Sequence, residues 1–233
     1  MIDAQSKIDK WETGNYAFAL QKDGTLLSWG NNDSGILGFG NEIASTPTEI
    51  MKNVQSFKIA SSYHAYALKF NGSLYGWGYG DETTPIGDGS TESRSMPVHI
   101  MDDVKSIDFC DYRVNHRDDG LKRSSITYVI KNDDSLWGWG YGGDRVTCSG
   151  DVDVTFILGN GKVKTQLFPA RITDNAYSMM YAATSGWNAV LMKRDGSVWS
   201  WCFGITTYEK TGKTEITDLV RSPYRVFTNV KLP

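Results

Sequence analysis

Carboxylates gather in one segment of this chain, where Asp151 and Asp153 alternate close to Asp144. Alternating carboxylates are oxygen ligands of the kind that Ca²⁺ accepts. The segment lacks the glycine at loop position six and the closing glutamate of an EF-hand, so a solvated loop is the favoured interpretation. We therefore expect no metal and no other cofactor.

Catalytic patterns are missing from the rest of the sequence. His64 lies inside an apolar run, which favours a packed, hydrogen-bonded ring, and His116 has no partner that spacing identifies. The chain has no Gly-x-Ser-x-Gly elbow, no His-Glu-x-x-His and no phosphate-binding lysine loop. The sequence therefore predicts a protein that is not an enzyme.

Charge and composition limit the classes of partner that this chain could bind. The formal net charge is −3 and the Lys and Arg residues are dispersed, whereas a nucleic-acid-binding face normally carries a basic stripe. No apolar stretch is long enough to span a membrane, and residues 1–13 do not resemble a signal peptide. We therefore expect neither nucleic acid binding nor membrane insertion, and both a cytoplasmic and an extracellular location stay open. Three cysteines without Cys-x-x-Cys spacing favour buried thiols over a disulfide framework.

A stretch that recurs four times must position all of these residues. Its copies begin at Asp23, Asn71, Asp133 and Asp195, and each runs through a turn into a strand that carries aromatic side chains. An Asp-Gly or Asn-Gly pair between two apolar runs predicts a β-hairpin with a type I′ turn. The third copy must make its turn with Asp133 and Asp134, without the glycine.

The tryptophans follow the pleat of the strand after each turn. Alternate residues share a face of a strand, so bulky pairs such as Tyr75 and Trp77 lie on one side, and Leu74 and Gly76 lie on the other. A large ring on one sheet must meet a small residue on the next sheet to reach interior packing density. The tryptophans are therefore predicted to be core residues.

Two further signals follow each hairpin. A proline stands seven residues before an apolar residue in every copy, and this phase predicts a strand start or an edge strand. A Gly-x-Gly element precedes three of these prolines, and the fourth copy keeps only Gly212. The prolines are Pro47, Pro97, Pro169 and Pro223.

Together these elements resemble the regulator-of-chromosome-condensation (RCC1-type) repeat family, and the copy from His64 to Val104 matches its pattern almost throughout. The resemblance implies an all-β fold, a β-propeller of about four four-stranded blades. We expect one array over residues 1–233, with repeats at approximately 6–53, 54–103, 104–175 and 176–233. Familiar members close a ring of more blades, so three alternatives stay open: part of a longer array, an open arc that closes by self-association through its blade edges, and a four-bladed ring. The irregular repeats look more like bacterial members.

The third copy is expanded twice. Residues 111–125 lengthen the approach to its hairpin, and residues 141–157 lengthen the loop after Trp139. Insertions on a repeat scaffold map to loops on one face, which is often the binding face. The candidate binding residues are Tyr79, Tyr141, Phe203, Arg145, Asp151 and Arg117.

These observations lead to a main functional hypothesis and two rivals. The main one is a non-catalytic module that presents its loops to a protein partner. Exposed aromatic side chains also mark sugar-binding surfaces, so a carbohydrate-binding, cell-surface array with Tyr79, Tyr141 and Phe203 is an alternative. The resemblance also suggests guanine-nucleotide exchange, which depends in that family on a complete ring and a projecting wedge.

Overall fold

The fold was analysed in a computed structural model. It describes residues 8–13, 15–32, 34–60, 64–116, 120–142, 146–148, 152–155, 158–160, 164–182, 188–202, 204–209, 212–213 and 224–227. These residues form twenty strands and no helix. The strands are β1 (Ile8–Thr13), β2 (Tyr16–Gln21), β3 (Leu26–Gly30), β4 (Ala44–Met51), β5 (Val54–Ile59), β6 (His64–Lys69), β7 (Leu74–Gly78), β8 (Arg94–Met101), β9 (Val104–His116), β10 (Gly120–Lys131), β11 (Leu136–Gly140), β12 (Val146–Cys148), β13 (Val152–Thr155), β14 (Gln166–Thr173), β15 (Ala176–Ala182), β16 (Asn188–Lys193), β17 (Val198–Cys202), β18 (Gly204–Glu209), β19 (Gly212–Lys213) and β20 (Tyr224–Phe227).

The strands form four antiparallel sheets. Three sheets have four strands each, in the orders β1-β2-β3-β4, β5-β6-β7-β8 and β15-β16-β17-β20. The remaining sheet has eight strands in the order β14-β11-β10-β9-β12-β13-β18-β19, because four further strands continue from the edge of β9. We call the units β1–β4, β5–β8, β9–β11 with β14, and β15–β17 with β20 blades one to four. The predicted all-β architecture of four-stranded units is confirmed.

The hairpins form where the sequence predicts them, but with a different turn. In blade one the Gly24 amide donates to the Gln21 carbonyl and the Gln21 amide donates to the Thr25 carbonyl, both at 2.9 Å. Gly24 has a φ of +82°, whereas Asp23 is not among the described residues with positive φ. The connection is therefore a three-residue loop with a glycine bulge, and the predicted type I′ turn is wrong. The Asp23 carboxylate accepts a hydrogen bond from the Thr25 amide at 2.9 Å.

Asp134 occupies the turn position in the third copy that glycine occupies in the other copies. Its φ is +60°, a conformation that aspartate tolerates better than most residues. Its amide donates to the Lys131 carbonyl at 3.0 Å, as the glycines do in the other copies. The predicted turn without glycine is confirmed.

A tryptophan ring on each of blades two, three and four packs against a glycine of the preceding blade. A Cβ atom built on Gly38, Gly87 or Gly159 would lie 2.7 to 2.8 Å from the indole nitrogen of Trp77, Trp139 or Trp201, respectively. The first glycine of each Gly-x-Gly element is thus small because the next blade's ring lies on it. All three rings are buried, so the core prediction is confirmed for them.

The small residue that meets the ring differs from the predicted one. We expected the Gly or Ser on the hairpin strand to receive the neighbouring tryptophan. Instead a Cβ on Gly76 would lie 2.7 Å from Ile86 and 2.9 Å from the Tyr66 ring, both in the same blade. A Cβ on Gly138 would lie 3.0 Å from both Ile172 and the Tyr128 ring. Gly76 and Gly138 are therefore small because of side chains within their own blade.

The blades are also joined through their backbones. The carbonyl of the turn residue accepts an amide from the first strand of the next blade at each of three junctions, with lengths of 2.8 to 2.9 Å. The pairs are Val54 to Gly24, Val104 to Gly72 and Ala176 to Asp134. The apolar residue at fixed phase after each proline is therefore the start of the next blade. Pro47, Pro97 and Pro169 lie in β4, β8 and β14 at sheet edges, as predicted, and Pro223 lies outside the described residues.

The hydrophobic core lies between blades, in three clusters. Each cluster combines the central strand of one blade with the tryptophan and first strand of the next. Cys110 belongs to the cluster between blades three and four, and its sulfur lies 3.9 Å from the Asp111 carbonyl oxygen. The prediction of a buried thiol is confirmed for Cys110. The side chains of Cys148 and Cys202 lie outside the described ones.

Candidate functional site

The first insertion of the third copy extends a hairpin. β9 and β10 stay in register from Ile130, opposite Ser106, out to Gly120, opposite His116. β11 covers only the Ile126–Ile130 part of β10, so the hairpin continues beyond the blade. The insertion 111–125 is thus regular strand in its described part, whereas we expected the insertions to form loops.

The second insertion pairs with the first. Val146 lies opposite His116 and Thr147 opposite Asn115, which places β12 along the end of β9. β13 then pairs with β12, and β18 from the fourth copy pairs with β13. We call this assembly, residues 111–116 and 120–125 with β12, β13, β18 and β19, the ribbon. It joins both insertions of the third copy and the corresponding segment of the fourth copy in one sheet.

The base of the ribbon contacts the loop after Trp77. The Ser125 amide donates to the Thr83 carbonyl at 3.0 Å, and the Ser125 carbonyl accepts the Tyr141 amide at 2.9 Å. Tyr79, in the same loop as Thr83, and Tyr141 therefore both lie on segments that meet the base of the ribbon. Two of the six predicted binding residues are brought to one region.

The loop that carries Tyr79 is organised by one carboxylate. Asp81 Oδ1 accepts the amides of Thr83 and Thr84 at 2.7 and 2.8 Å, and Oδ2 accepts the Tyr79 hydroxyl at 2.8 Å. Burial raises the pKa of Asp81, but the hydrogen bonds from Thr83 and Tyr79 outweigh it and leave the pKa below its usual value. The hydrogen bond to Asp81 also raises the pKa of Tyr79. The loop is thus fixed around an ionised aspartate, and the sequence analysis missed it.

Tyr79 and Tyr141 occupy equivalent positions but have different environments. Tyr79 is 38% exposed, whereas Tyr141 is partly buried and packs against the core cluster between blades three and four. Tyr141 thus fits a packing role, and Tyr79 stays the accessible candidate. Phe203, Arg145, Asp151 and Arg117 lie outside the described residues, and their roles stay predictions.

His64 is close to the base of the ribbon but is not poised for acid–base chemistry. It is fully buried, and its ring meets the Tyr66 ring edge-on with centroids 5.4 Å apart. Burial lowers its pKa to about 4, and the charges of Asp111 and Asp81 oppose this only in part. The imidazole is therefore neutral at physiological pH. The packed ring that the sequence predicts is confirmed.

The described residues also bear on metals and membranes. Among them, no group of three or more His, Cys, Asp or Glu side chains is arranged to hold a metal ion. The part of the chain that the structure describes has no helix long and apolar enough to cross a membrane.

Comparison with known proteins identifies the repeat. The family model "Regulator of chromosome condensation (RCC1) repeat" matches residues 23–65, from the first turn into β6. The chain is 24% identical over 204 residues to the E3 ubiquitin-protein ligase HERC2 of Homo sapiens, covering 84% of this chain and 4% of that protein. It is 23% identical over 195 residues to the ultraviolet-B receptor UVR8 of Arabidopsis thaliana, covering 80% of this chain and 39% of that receptor. The chain therefore carries an RCC1-type repeat at residues 23–65.

Solved structures give the same fold. Human WBSCR16 superposes with a TM-score of 0.58 at 18% identity, covering 94% of this chain and 52% of that one. Prp20p of Saccharomyces cerevisiae superposes with a TM-score of 0.57 at 19% identity, covering 95% and 50% of the two chains. The predicted RCC1-type β-propeller fold is confirmed, and this chain spans about half the length of these propellers. The expected bacterial origin stays a prediction.

The ribbon extends the RCC1-type pattern in this chain, and part of it was readable from sequence. Val152-Asp153-Val154-Thr155 alternates apolar and polar residues, and Ile205-Thr206-Thr207-Tyr208 is rich in β-branched and aromatic residues. Both patterns are typical of strands. No local signal shows that these strands pair with each other, because the pairing joins distant segments of the chain.

Proposed function

We propose that this RCC1-type chain is a non-catalytic protein-interaction module and that the ribbon is its binding surface. The observation that carries this proposal is the assembly of the third copy's two insertions and the fourth copy's β18 in one sheet beside blade three. Loops and insertions that a rigid scaffold positions are where repeat proteins usually bind their partners.

The geometry of β10 supports a particular mode of binding. In the described pairings, residues 120–124 of β10 have a partner strand on one side only. The reason is that β11 ends at Gly140, which lies opposite Ile126 of β10. Ser125 directs its amide and carbonyl away from β9, and alternation along the strand directs those of Arg123 and Leu121 the same way. An extended segment of a partner adds to such an edge through main-chain hydrogen bonds.

A protein is the class of partner that the relatives favour. The Prp20p structure was described together with the binding of Prp20p to Gsp1p and histones, which are proteins. This chain spans half of Prp20p, so neither partner is carried over by name. Self-association through blade edges is the other protein contact that we consider, and light scattering over a concentration range distinguishes it from binding to a different protein.

The test compares the intact chain with a ribbon-trimmed variant. Partners are captured by cross-linking, produced in purified form and titrated against the chain by calorimetry. In the variant, residues 113–123 are replaced by a two-residue turn, so that Ser125 and its two hydrogen bonds are kept. We expect the trimmed variant to lose binding while its thermal unfolding midpoint changes little. Undiminished binding by a folded trimmed variant would overturn the proposal.

A matched control separates the ribbon from the rest of the surface. Lys52 lies in the short connection between blades one and two, far along the chain from the ribbon, and its side chain is 67% exposed. Lys52→Ala should bind every ribbon-dependent partner as tightly as the unaltered chain does.

A further inference from the structure

A cavity of about 430 Å³ opens beside the first strands of blades two, three and four. β5 contributes Lys58, β9 contributes residues 105–108, and β15 contributes residues 177–179. The cavity lies at the start of β9, at residues 105–108, whereas the ribbon lies at the end of that strand. A volume of this size is typical of ligand-binding sites and holds a few side chains of a peptide.

The cavity is surrounded by more positively charged than negatively charged groups. Lys58 pairs with Asp108, with Nζ and Oδ1 2.8 Å apart. Asp134 is shared by two cations: Lys105 Nζ lies 3.0 Å from its Oδ1, and Arg194 binds both of its oxygens. Among the described groups at this site, three cations therefore meet two carboxylates. The excess positive charge stands out on a chain whose net charge is −3.

Lys105 is the cation most available to a ligand. Its side chain is 40% exposed, and the carboxylate that it contacts already receives two hydrogen bonds from Arg194. An exposed ion pair contributes little to stability, so Lys105 can exchange Asp134 for another carboxylate at small cost. The Arg194 guanidinium stays in place, because it also lies 5.6 Å from the centroid of the Tyr177 ring.

The floor of the cavity is apolar. Ile130 is 3% exposed, and both Ile130 and Met179 pack in the core between blades three and four. Ser106 and Ser178 also lie at the lining. A cationic rim above an aliphatic floor is complementary to a carboxylate next to an aliphatic side chain.

We propose that this cavity binds an acidic, aliphatic peptide segment of a protein partner, with a carboxylate at Lys105 and an aliphatic side chain on Ile130 and Met179. The site is separate from the ribbon and does not depend on it. A partner that engages both would be held at two places, which raises its apparent affinity without new contacts at either one.

The test measures fluorescence anisotropy with a labelled hexapeptide of alternating glutamate and leucine. We expect saturable binding by the intact chain and binding about tenfold weaker for the peptide with glutamine in place of glutamate. Lys105→Met should weaken binding of the glutamate peptide by about tenfold, and Ser178→Phe should abolish it by filling the cavity. Asp108→Asn should strengthen binding, because it releases Lys58 for the peptide carboxylate.

Two controls make the result specific. Lys52→Met removes an exposed lysine that contacts Glu49, away from the cavity lining, and should leave peptide binding unchanged. The ribbon-trimmed variant should also keep peptide binding, so that failure of this proposal and failure of the proposed function are distinguishable. No saturable binding of the glutamate peptide, equal binding of the glutamine peptide, or full binding by both Lys105→Met and Ser178→Phe would overturn the proposal.

Discussion

The indole nitrogen of Trp139 lies 3.2 Å from the hydroxyl oxygen of Tyr66 on the preceding blade. That hydroxyl in turn donates to the Ile86 carbonyl at 3.0 Å, in the loop that the tryptophan ring covers. One hydroxyl therefore joins a hairpin, its own loop and the next blade. Trp201 and Tyr128 repeat the contact at 3.1 Å one blade later.

Blade one makes the same connection with other residues. Phe18 stands where blades two and three have tyrosine, so Trp77 donates directly to the Ile36 carbonyl at 2.7 Å. Ser28 stands where they have glycine, and its hydroxyl donates to the Leu37 carbonyl at 2.7 Å. Either pair, tyrosine with glycine or phenylalanine with serine, supplies one hydroxyl to the loop.

Removing the Tyr66 hydroxyl should destabilise the fold. We expect Tyr66→Phe to lower the free energy of unfolding by about 1–3 kcal/mol, because the Trp139 N–H and the Ile86 carbonyl both lose a buried partner. Urea denaturation measures the change. Tyr75→Phe is the matched control, since the Tyr75 hydroxyl makes no hydrogen bond in the described part of the chain, and its cost should be under about 0.5 kcal/mol. Equal losses in the two variants would contradict the assignment.

The glycine beneath Trp139 should tolerate no side chain. Gly87 and Gly40 have nearly the same φ, +103° and +106°, but only at Gly87 would a Cβ meet the tryptophan, at 2.7 Å. Gly40→Ala thus measures the backbone cost alone, roughly 1–2 kcal/mol. Gly87→Ala should cost a further 1–3 kcal/mol, approximately, for overpacking. Thermal unfolding of both variants checks this, and similar midpoints would show that the ring does not rest on Gly87.

Asp134 links blades three and four in a pH-dependent way. Hydrogen bonds from Arg194 and Lys105 lower its pKa to about 2, below the value of 3.8 expected in the unfolded chain. Its stabilising effect is therefore complete above about pH 4 and is lost as the pH falls toward 2. Asp134→Asn keeps the left-handed backbone but should lower stability at pH 7 by under about 1 kcal/mol. Urea titrations at pH 7 and pH 3 should show this difference shrinking, and a difference independent of pH would argue against the ion pair.

His64 should make the fold sensitive to mild acid. Burial lowers its folded pKa to about 4, below the value of 6.5 for the unfolded chain, so the unfolded state binds the proton first. Stability should fall as the pH drops from 6.5 to 4, by up to about 1.4 kcal/mol for each pH unit. His64→Gln should be less stable at pH 7 but should lose this dependence. His99→Gln, at a ring that contacts Asp102 on the surface, should keep it. A dependence that survives in His64→Gln would contradict the account.

The sequence shows the repeat, the hairpins and the edge strands because each rests on residues close together in the chain. Asp23 and Gly24 predict a turn, but the same pair fits two turn types, and the carboxylate bond to Thr25 favours the bulged one. Gly87 contacts the ring of Trp139, which belongs to the next repeat. A pattern within one repeat does not show this contact.

The candidate site was less predictable than the fold. Both insertions were found as departures from the repeat, but their assembly depends on pairings between distant segments. The organisation of the Tyr79 loop around Asp81 was missed. Tyr79 and Tyr141 have equivalent places in the sequence, yet Tyr141 packs against the core and Tyr79 is exposed. The cavity at Lys105 brings together three blades, and no spacing within one repeat shows it.

The most direct test of the central claim, that both insertions and β18 form one ribbon, is amide hydrogen exchange on the isolated chain. We predict that amides of residues 113–116, 146–148, 152–155 and 204–207 are protected together, well above the rate of an open chain. The ribbon-trimmed variant should lose protection at β12 and β13 while β6 and the Ile126–Ile130 part of β10 stay protected. Exchange of the ribbon amides at the open-chain rate in the intact protein would contradict the ribbon and the function proposed for it.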